Sequence, residues 1–191
     1  IRLLDIKPGL IIETEDFAVH AFQVEHRGSS SLGYRFEEFP RRPFLPEKAE
    51  ALGIAPGPWR KDLVAGKAIT LPDGRRIEPD QVLGEEKAGT CLVGVGDVGK
   101  PERLLEHIRG ADALVIEATY LQEEAAMAQE FGHTTAGTVA ELAKQAGVGQ
   151  LILTHVSRRY SDDAILAEAN AIFPNTKLAH DFDSYLIRHE D

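Results

Sequence analysis

Leu151 to Thr154 reads Leu-Ile-Leu-Thr, and His155 follows it directly. A short apolar run bounded by Gly149 on one side and a polar cluster on the other reads as a buried strand. His155 therefore stands where a strand ends, and Ser157, Arg158, Arg159 and Tyr160 continue as a loop. Rigid scaffolds tend to carry their chemistry in such loops. A lone histidine there also has a purely structural reading, as a hydrogen-bonded ring.

The arrangement recurs upstream. Thr90 to Val95 is a strand-like run leading into Gly96 and Asp97, and Ala113 to Glu117 is another, with Glu117 at its end. Between and after these runs the pattern turns helical, over Pro101–Arg109, Leu121–Phe131 and Ala136–Ala146. Thr135 is placed as an N-cap, Gly147 as a stop, and Val139, Leu142, Ala143 and Ala146 as an inner face. A further helix begins at Asp162 or Asp163, with Ile165, Leu166, Ala169 and Ile172 apolar. Thr176–Ala179 and Ser184–Ile187 are read as closing strands. Before residue 40 strand follows strand, at Leu10–Glu13, Phe17–Val24 and Leu32–Glu37, with His26 in a connection and His20 an ordinary packed or surface histidine. Strands first and strand–helix alternation afterwards predict an α/β sandwich.

Residues 40–78 differ in kind. They hold six of the ten prolines, and eight Lys/Arg against five Asp/Glu, a local charge of +3 in a chain of net charge −10. A short helix over Glu47–Leu52 and a hairpin about Pro72-Asp73-Gly74 are expected, with little core. The segment reads as an arm or as a solvated surface excursion. The boundaries follow: sandwich strands over 1–39, the insertion over 40–88, and an α/β part over 89–191.

The overall acidity argues against a generally basic nucleic-acid binder but leaves room for a local basic patch. Cys91 is the single cysteine, so an internal disulfide framework and a cysteine-based zinc finger are excluded. No apolar run approaches the roughly 20 residues that span a bilayer. Arg2, Asp5 and Lys7 interrupt the start, so no signal peptide is expected, and a reducing, cytoplasmic setting fits.

His26, Asp97, His133 and His155 all lie in loops after strands or beside a helix start. Imidazole with carboxylate suits zinc or manganese. Each also has an ordinary reading, as a loop hydrogen bond or a turn cap.

Six blocks in order, HRGSSSLGYRFEE, GVGDVGKP, ADALVIEATY, FGHTTAGTVAELAKQAGV, LILTHVSRRY and IFPNTKLAHDF, resemble ribonuclease Z. That family is the tRNA 3′-processing endonuclease of the metallo-β-lactamase superfamily. The resemblance covers almost the whole chain and corresponds to the family's C-terminal portion. It implies a partial αββα sandwich with a projecting exosite arm, to which EKAEALGIAPGP and GKAITLPDGRRI correspond. It further implies zinc-dependent removal of the 3′ trailer from precursor tRNA by metal-hydroxide attack on a phosphodiester. Two zinc ions would be held, with manganese as the alternative. His26 corresponds to a ligand of one metal, Asp97 to the bridging carboxylate and His155 to a ligand of the other. His133 corresponds to the histidine acting at the scissile phosphate, with Glu117 orienting it. Arg60, Lys61, Lys67, Arg75 and Arg76 of the arm would grip tRNA, in a homodimer.

Two departures from the family pattern stand out. Val98 replaces the threonine of Gly-Asp-Thr, losing a hydroxyl. The His-x-His-x-Asp-His motif is not in this sequence, and the family places it in an N-terminal half expected to precede Ile1. Without that half, Phe17, Val19 and Phe22 are expected to be uncovered. Two other readings stand beside this one: a different metallo-β-lactamase-fold phosphodiesterase, and a catalytically dead tRNA-binding chain.

Overall fold

The computed structural model describes residues 5–189. Residues 1–4, on which part of the expectation about the chain's start bears, lie outside them. The chain divides into two compact units, one formed by the residues up to Phe39 with those from Thr90 onward, the other by Pro40–Gly89.

The first unit is built on a seven-stranded sheet. Strands β1 (Gly9–Glu13), β2 (Phe17–His26) and β3 (Ser29–Glu38) run antiparallel. The register from Phe17↔Glu38 to His26↔Ser29 is closed by Arg27 and Gly28, at φ 46° and 75°. Two positive φ values in a two-residue loop match the right-handed twist of the flanking strands. That tight turn draws His26 into β2 as its last residue, and the serine run expected as loop into β3. In sheet order β3 is followed by β6 (Cys91–Gly94), β7 (Ala113–Glu117), β8 (Gln150–Thr154) and β9 (Thr176–Leu178). From β6 to β9 the strands are parallel, as the strand–helix alternation requires.

One sheet face is closed by helices. α5 (Ala136–Ala146) has Thr135 as N-cap, accepting from the Thr138 amide at 3.1 Å, and ends at Gly147 with φ 66°. α6 (Asp162–Ile172) is capped by Ser161. Val139, Leu142, Ala143 and Ala146 of α5 and Ile165 and Ala169 of α6 meet Leu114, Ile116, Leu151 and Leu153 in one core. Each fully buried Leu or Ile there contributes roughly 1.5–3 kcal/mol. Pro101–Arg109 resolves into a 3-10 turn, Pro101–Leu104, and a single turn of helix α3 (Leu105–Ile108). Leu121–Phe131 likewise shortens to a 3-10 turn over Gln122–Glu124 and α4 (Ala125–Phe131).

One expectation for this unit fails and another holds only in part. Ser184–Ile187 is not a strand; the Tyr185 hydroxyl instead donates to the Leu178 carbonyl and to Asp183. Val19 and Phe22 are buried, while Phe17 is 38% exposed. Phe22 faces the helical side and stacks on His107 with ring centres 4.3 Å apart. Val19 lies on the other face, between its cross-strand partners Ile12 and Phe36, which are themselves exposed.

The second unit holds α1 (Pro46–Ala51), α2 (Pro58–Val64) and a hairpin of β4 (Ile69–Thr70) and β5 (Arg76–Ile77). It has its own core of Ala49, Ile54, Leu63, Ile69, Leu71, Ile77 and Val82, with Phe44 and Leu52 packed on it. The expectation of little core is thus corrected: isolated apolar residues in proline-rich sequence converge through turns that periodicity does not reveal.

Candidate active site

Parallel strands deliver their C-terminal ends to one sheet edge. β6 leads to Asp97, β7 ends in Glu117, and β8 is followed at once by His155. β2 is antiparallel to β3, and β3 to β6, so β2 runs with β6 and brings His26 to the same edge. His133 comes from the turn between α4 and α5, where Gly132 caps α4 at φ 72°.

These side chains converge. Ligand atoms of His26, Asp97 and His133 lie within 4.8 Å of one another, as do those of Glu117, His133 and His155. Asp97 sits between two rings: Oδ2 is 4.0 Å from His26 Nε2 and Oδ1 is 3.6 Å from His155 Nδ1. The His133 ring centre is 5.2 Å from that of His26 and 5.3 Å from that of His155.

Glu117 organises the group. It is fully buried, and a buried carboxylate is tolerable only when hydrogen-bonded. It accepts from the Val98 amide at 2.7 Å, from His133 Nδ1 at 3.0 Å and from the Thr119 hydroxyl at 2.5 Å. Thr119 Oγ1 in turn lies 2.9 Å from His155 Nδ1. With the hydroxyl proton directed to Glu117, Thr119 accepts the Nδ1 hydrogen of His155, leaving Nε2 as that ring's lone pair. His26 is set independently: Nδ1 donates to the Gly132 carbonyl at 2.7 Å, so its Nε2 lone pair faces Asp97. Fixing one ring nitrogen to present the other is how ligating histidines are held.

Two residues were not legible beforehand. Thr119 lies two positions after Glu117, a weak signal that an extended backbone would put both on one side. Gly132 acts through its carbonyl, which leaves no trace in sequence. Val98, noted for its missing hydroxyl, has a fully buried side chain, and the group it supplies is its amide.

The expected RNA-gripping cations fare unequally. Arg60 donates twice to the Ile54 carbonyl, at 3.2 and 2.7 Å, and lies over the Phe44 ring. Arg75 pairs with Asp73 and Arg76 with Glu78, each at 2.7 Å. Lys61 and Lys67 are exposed and in no ion pair among the described residues. The basic excess is also local. Through Gly89, Lys87 adds one positive charge while Asp80, Glu85 and Glu86 add three negative, leaving +1.

The donor set gathered here, His26 with Nε2 toward Asp97 and His133 close to both, and Glu117, His133 and His155 beside them, is of the kind that suits a divalent metal of the zinc or manganese type. No helix among the described residues is long and apolar enough to cross a membrane.

No protein-family model matches the chain. It is 46% identical over 183 residues to the ribonuclease Z of Bradyrhizobium sp. (strain ORS 278), covering 96% of this chain and 61% of that protein. It is 40% identical over 184 residues to the ribonuclease Z of Methanosarcina mazei, covering 95% and 60%. The chain thus resembles ribonuclease Z over nearly its whole length and spans about three fifths of these curated relatives. Among solved structures, the metallo-β-lactamase fold protein YhfI from Bacillus subtilis matches at a TM-score of 0.58 and 16% identity, covering 91% of this chain and 51% of that one. Human tRNase Z, short form, matches at 0.52 and 22%, covering 94% and 46%. Over the part spanned the chain has the metallo-β-lactamase fold.

Proposed function

We propose that this chain, which resembles ribonuclease Z along nearly all its length, carries part of the active site of a metal-dependent endoribonuclease that removes the 3′ trailer from precursor tRNA. The observation that carries the reading is the position of Asp97, whose two carboxylate oxygens each face a different histidine. A carboxylate set between two imidazoles is the kind of donor that a divalent metal site uses.

In this reading His26, Asp97 and His155 are the residues of this chain that would hold the metal. Zinc is the preferred ion and manganese the second choice. Such a metal, when bound, would supply a water-derived nucleophile at neutral pH and positive charge for the phosphoryl oxygens. His133, its Nδ1 fixed on Glu117, turns Nε2 to the phosphate and protonates the leaving oxygen. Thr119 and Glu117 hold His155 and His133 in one frame, so both move little as charge develops. A cleft lined by Arg27, Lys100, Gln129, His133, Thr134 and Thr138 adjoins His133 and gives the RNA strand a path. The insertion over residues 40–89 serves as the tRNA-gripping exosite through Lys61 and Lys67, in a cytoplasmic homodimer.

The test is cleavage of a precursor tRNA by the whole protein that carries this chain. Activity should require divalent metal and yield a tRNA with a 3′-hydroxyl and a trailer with a 5′-phosphate. Hydrolysis of small phosphodiesters with no action on precursor tRNA would favour a different phosphodiesterase of the same fold.

A further inference from the structure

Among the described residues only three other than glycine have positive φ: Arg27 at 46°, His155 at 52° and Phe182 at 72°. An L-residue is strained there, the more so when bulky, and such strain gathers at functional sites. The first two belong to the catalytic edge, Arg27 following His26 and His155 being part of the group itself. Phe182 is the third, and it lies in the chain that follows β9, the strand paired with β8.

β9 lies next to β8 and parallel to it, with Leu153↔Leu178 in register. Neighbouring strands are about 4.8 Å apart. His155 lies two residues past Leu153 and His180 two past Leu178, so the two segments leave the sheet from the same end of paired strands. His180–Asp183 then forms a tight turn, the Asp183 amide donating to the His180 carbonyl at 3.1 Å. The turn is tied down on three sides. Asp183 Oδ2 accepts from the His180 amide at 3.0 Å and from the Tyr185 hydroxyl at 2.9 Å, and His180 Nε2 meets Asp162 Oδ2 at 2.9 Å. Phe182 sits at the tip, 102% exposed. Its side chain therefore contributes nothing to this unit's core, and glycine or asparagine would suit that backbone better.

We propose that Phe182 is a stacking platform for an unpaired base of the RNA strand flanking the cleaved bond. The inference rests on the reading of the site as an RNA-cleaving centre. A tied-down, strained turn that presents a bare aromatic ring in the segment following β9, the strand beside the one that leads to His155, matches what a single-stranded nucleotide needs, because every base offers a π-face. Phe182 does not touch the reacting atoms; it positions the strand.

The experiment uses the whole protein, metal-loaded, with two substrates. Phe182→Ala should lower kcat/KM for precursor tRNA by about tenfold, chiefly through KM. Hydrolysis of bis(p-nitrophenyl) phosphate, which has no base, should stay within twofold. Phe182→Tyr should retain wild-type kinetics. Phe182→Trp should show additional emission over the wild type that a short single-stranded RNA quenches. Unchanged precursor-tRNA kinetics in Phe182→Ala, or RNA binding with no quenching at residue 182, would overturn the platform. So would a fall in melting temperature or a change of oligomeric state in Phe182→Ala with normal kinetics, which would make the ring a protein contact. Wild-type protein that neither cleaves nor binds RNA sinks the functional reading, and the platform with it.

Discussion

The two units treat their charged groups in opposite ways. At the sheet edge that carries Asp97 one buried carboxylate, Glu117, uses its oxygens to hold the Val98 amide, the Thr119 hydroxyl and the His133 ring in place. In the unit over Pro40–Gly89 most of the singled-out cations are consumed internally, by Ile54, Asp73 and Glu78. The difference teaches that counting charges says little about function. What matters is which groups the fold leaves with unspent hydrogen-bonding or ligating capacity.

Variants can sharpen that contrast. The largest effect among them is expected at His133. His133→Ala removes the proposed acid and should lower kcat for precursor tRNA by about 10²–10⁴-fold, measured under single turnover. A loss below fivefold would leave His133 as a structural ring. Next is Thr119→Val, nearly isosteric, which breaks the link from Glu117 to His155. Metal affinity or rate should fall by about 10–100-fold, read by competition with a chelator, while the far-ultraviolet circular dichroism stays the same. Unaltered affinity would remove Thr119 from the account.

The insertion should divide under mutation. Arg60→Met removes hydrogen bonds to Ile54 and should destabilise this unit by about 1–3 kcal/mol, seen as earlier local proteolysis. Lys61→Glu with Lys67→Glu should leave stability unchanged, weaken tRNA binding and reduce its salt slope by about two. If the arginine variant altered only binding and the lysine pair altered only stability, the division drawn here would be backwards. The smallest effect concerns Cys91. Burial, the main cause, pushes its thiol up to about 11, with Glu37 and Asp112 adding and Arg35 opposing. Below that pH it stays a neutral thiol, so at pH 8 iodoacetamide should modify it on the order of a hundredfold more slowly than a free cysteine. Rapid labelling would show that this part of the sheet opens readily.

Much of the frame was legible because it is local. Leu151–Thr154 and Ala113–Glu117 are short apolar runs that end in ionisable residues, and β7 and β8 are those runs. Thr135 and Gly147 mark α5 by capping chemistry alone. The strand order and parallel direction then follow from alternation, and they bring Asp97, Glu117 and His155 together. What escaped depends on groups without a sequence signature. The Gly132 carbonyl and the Val98 amide are backbone atoms. Thr119 matters through one hydroxyl shared between Glu117 and His155. The core of the second unit escaped because Ile54, Leu63 and Ile77 are brought together by turns, not by periodicity. The bonds from Arg60 to the Ile54 carbonyl escaped too, because a side chain's partners cannot be read from its charge.

The central claim is that the edge around Asp97 is a metal-dependent phosphodiester-cleaving centre. The most direct measurement is single-turnover cleavage of a precursor tRNA by the whole protein, wild type against Asp97→Ala, each with bound metal quantified. The account expects metal-dependent cleavage in the wild type, and in Asp97→Ala loss of both bound metal and cleavage at unchanged melting temperature. Cleavage at the wild-type rate in Asp97→Ala, with metal content retained, would contradict it.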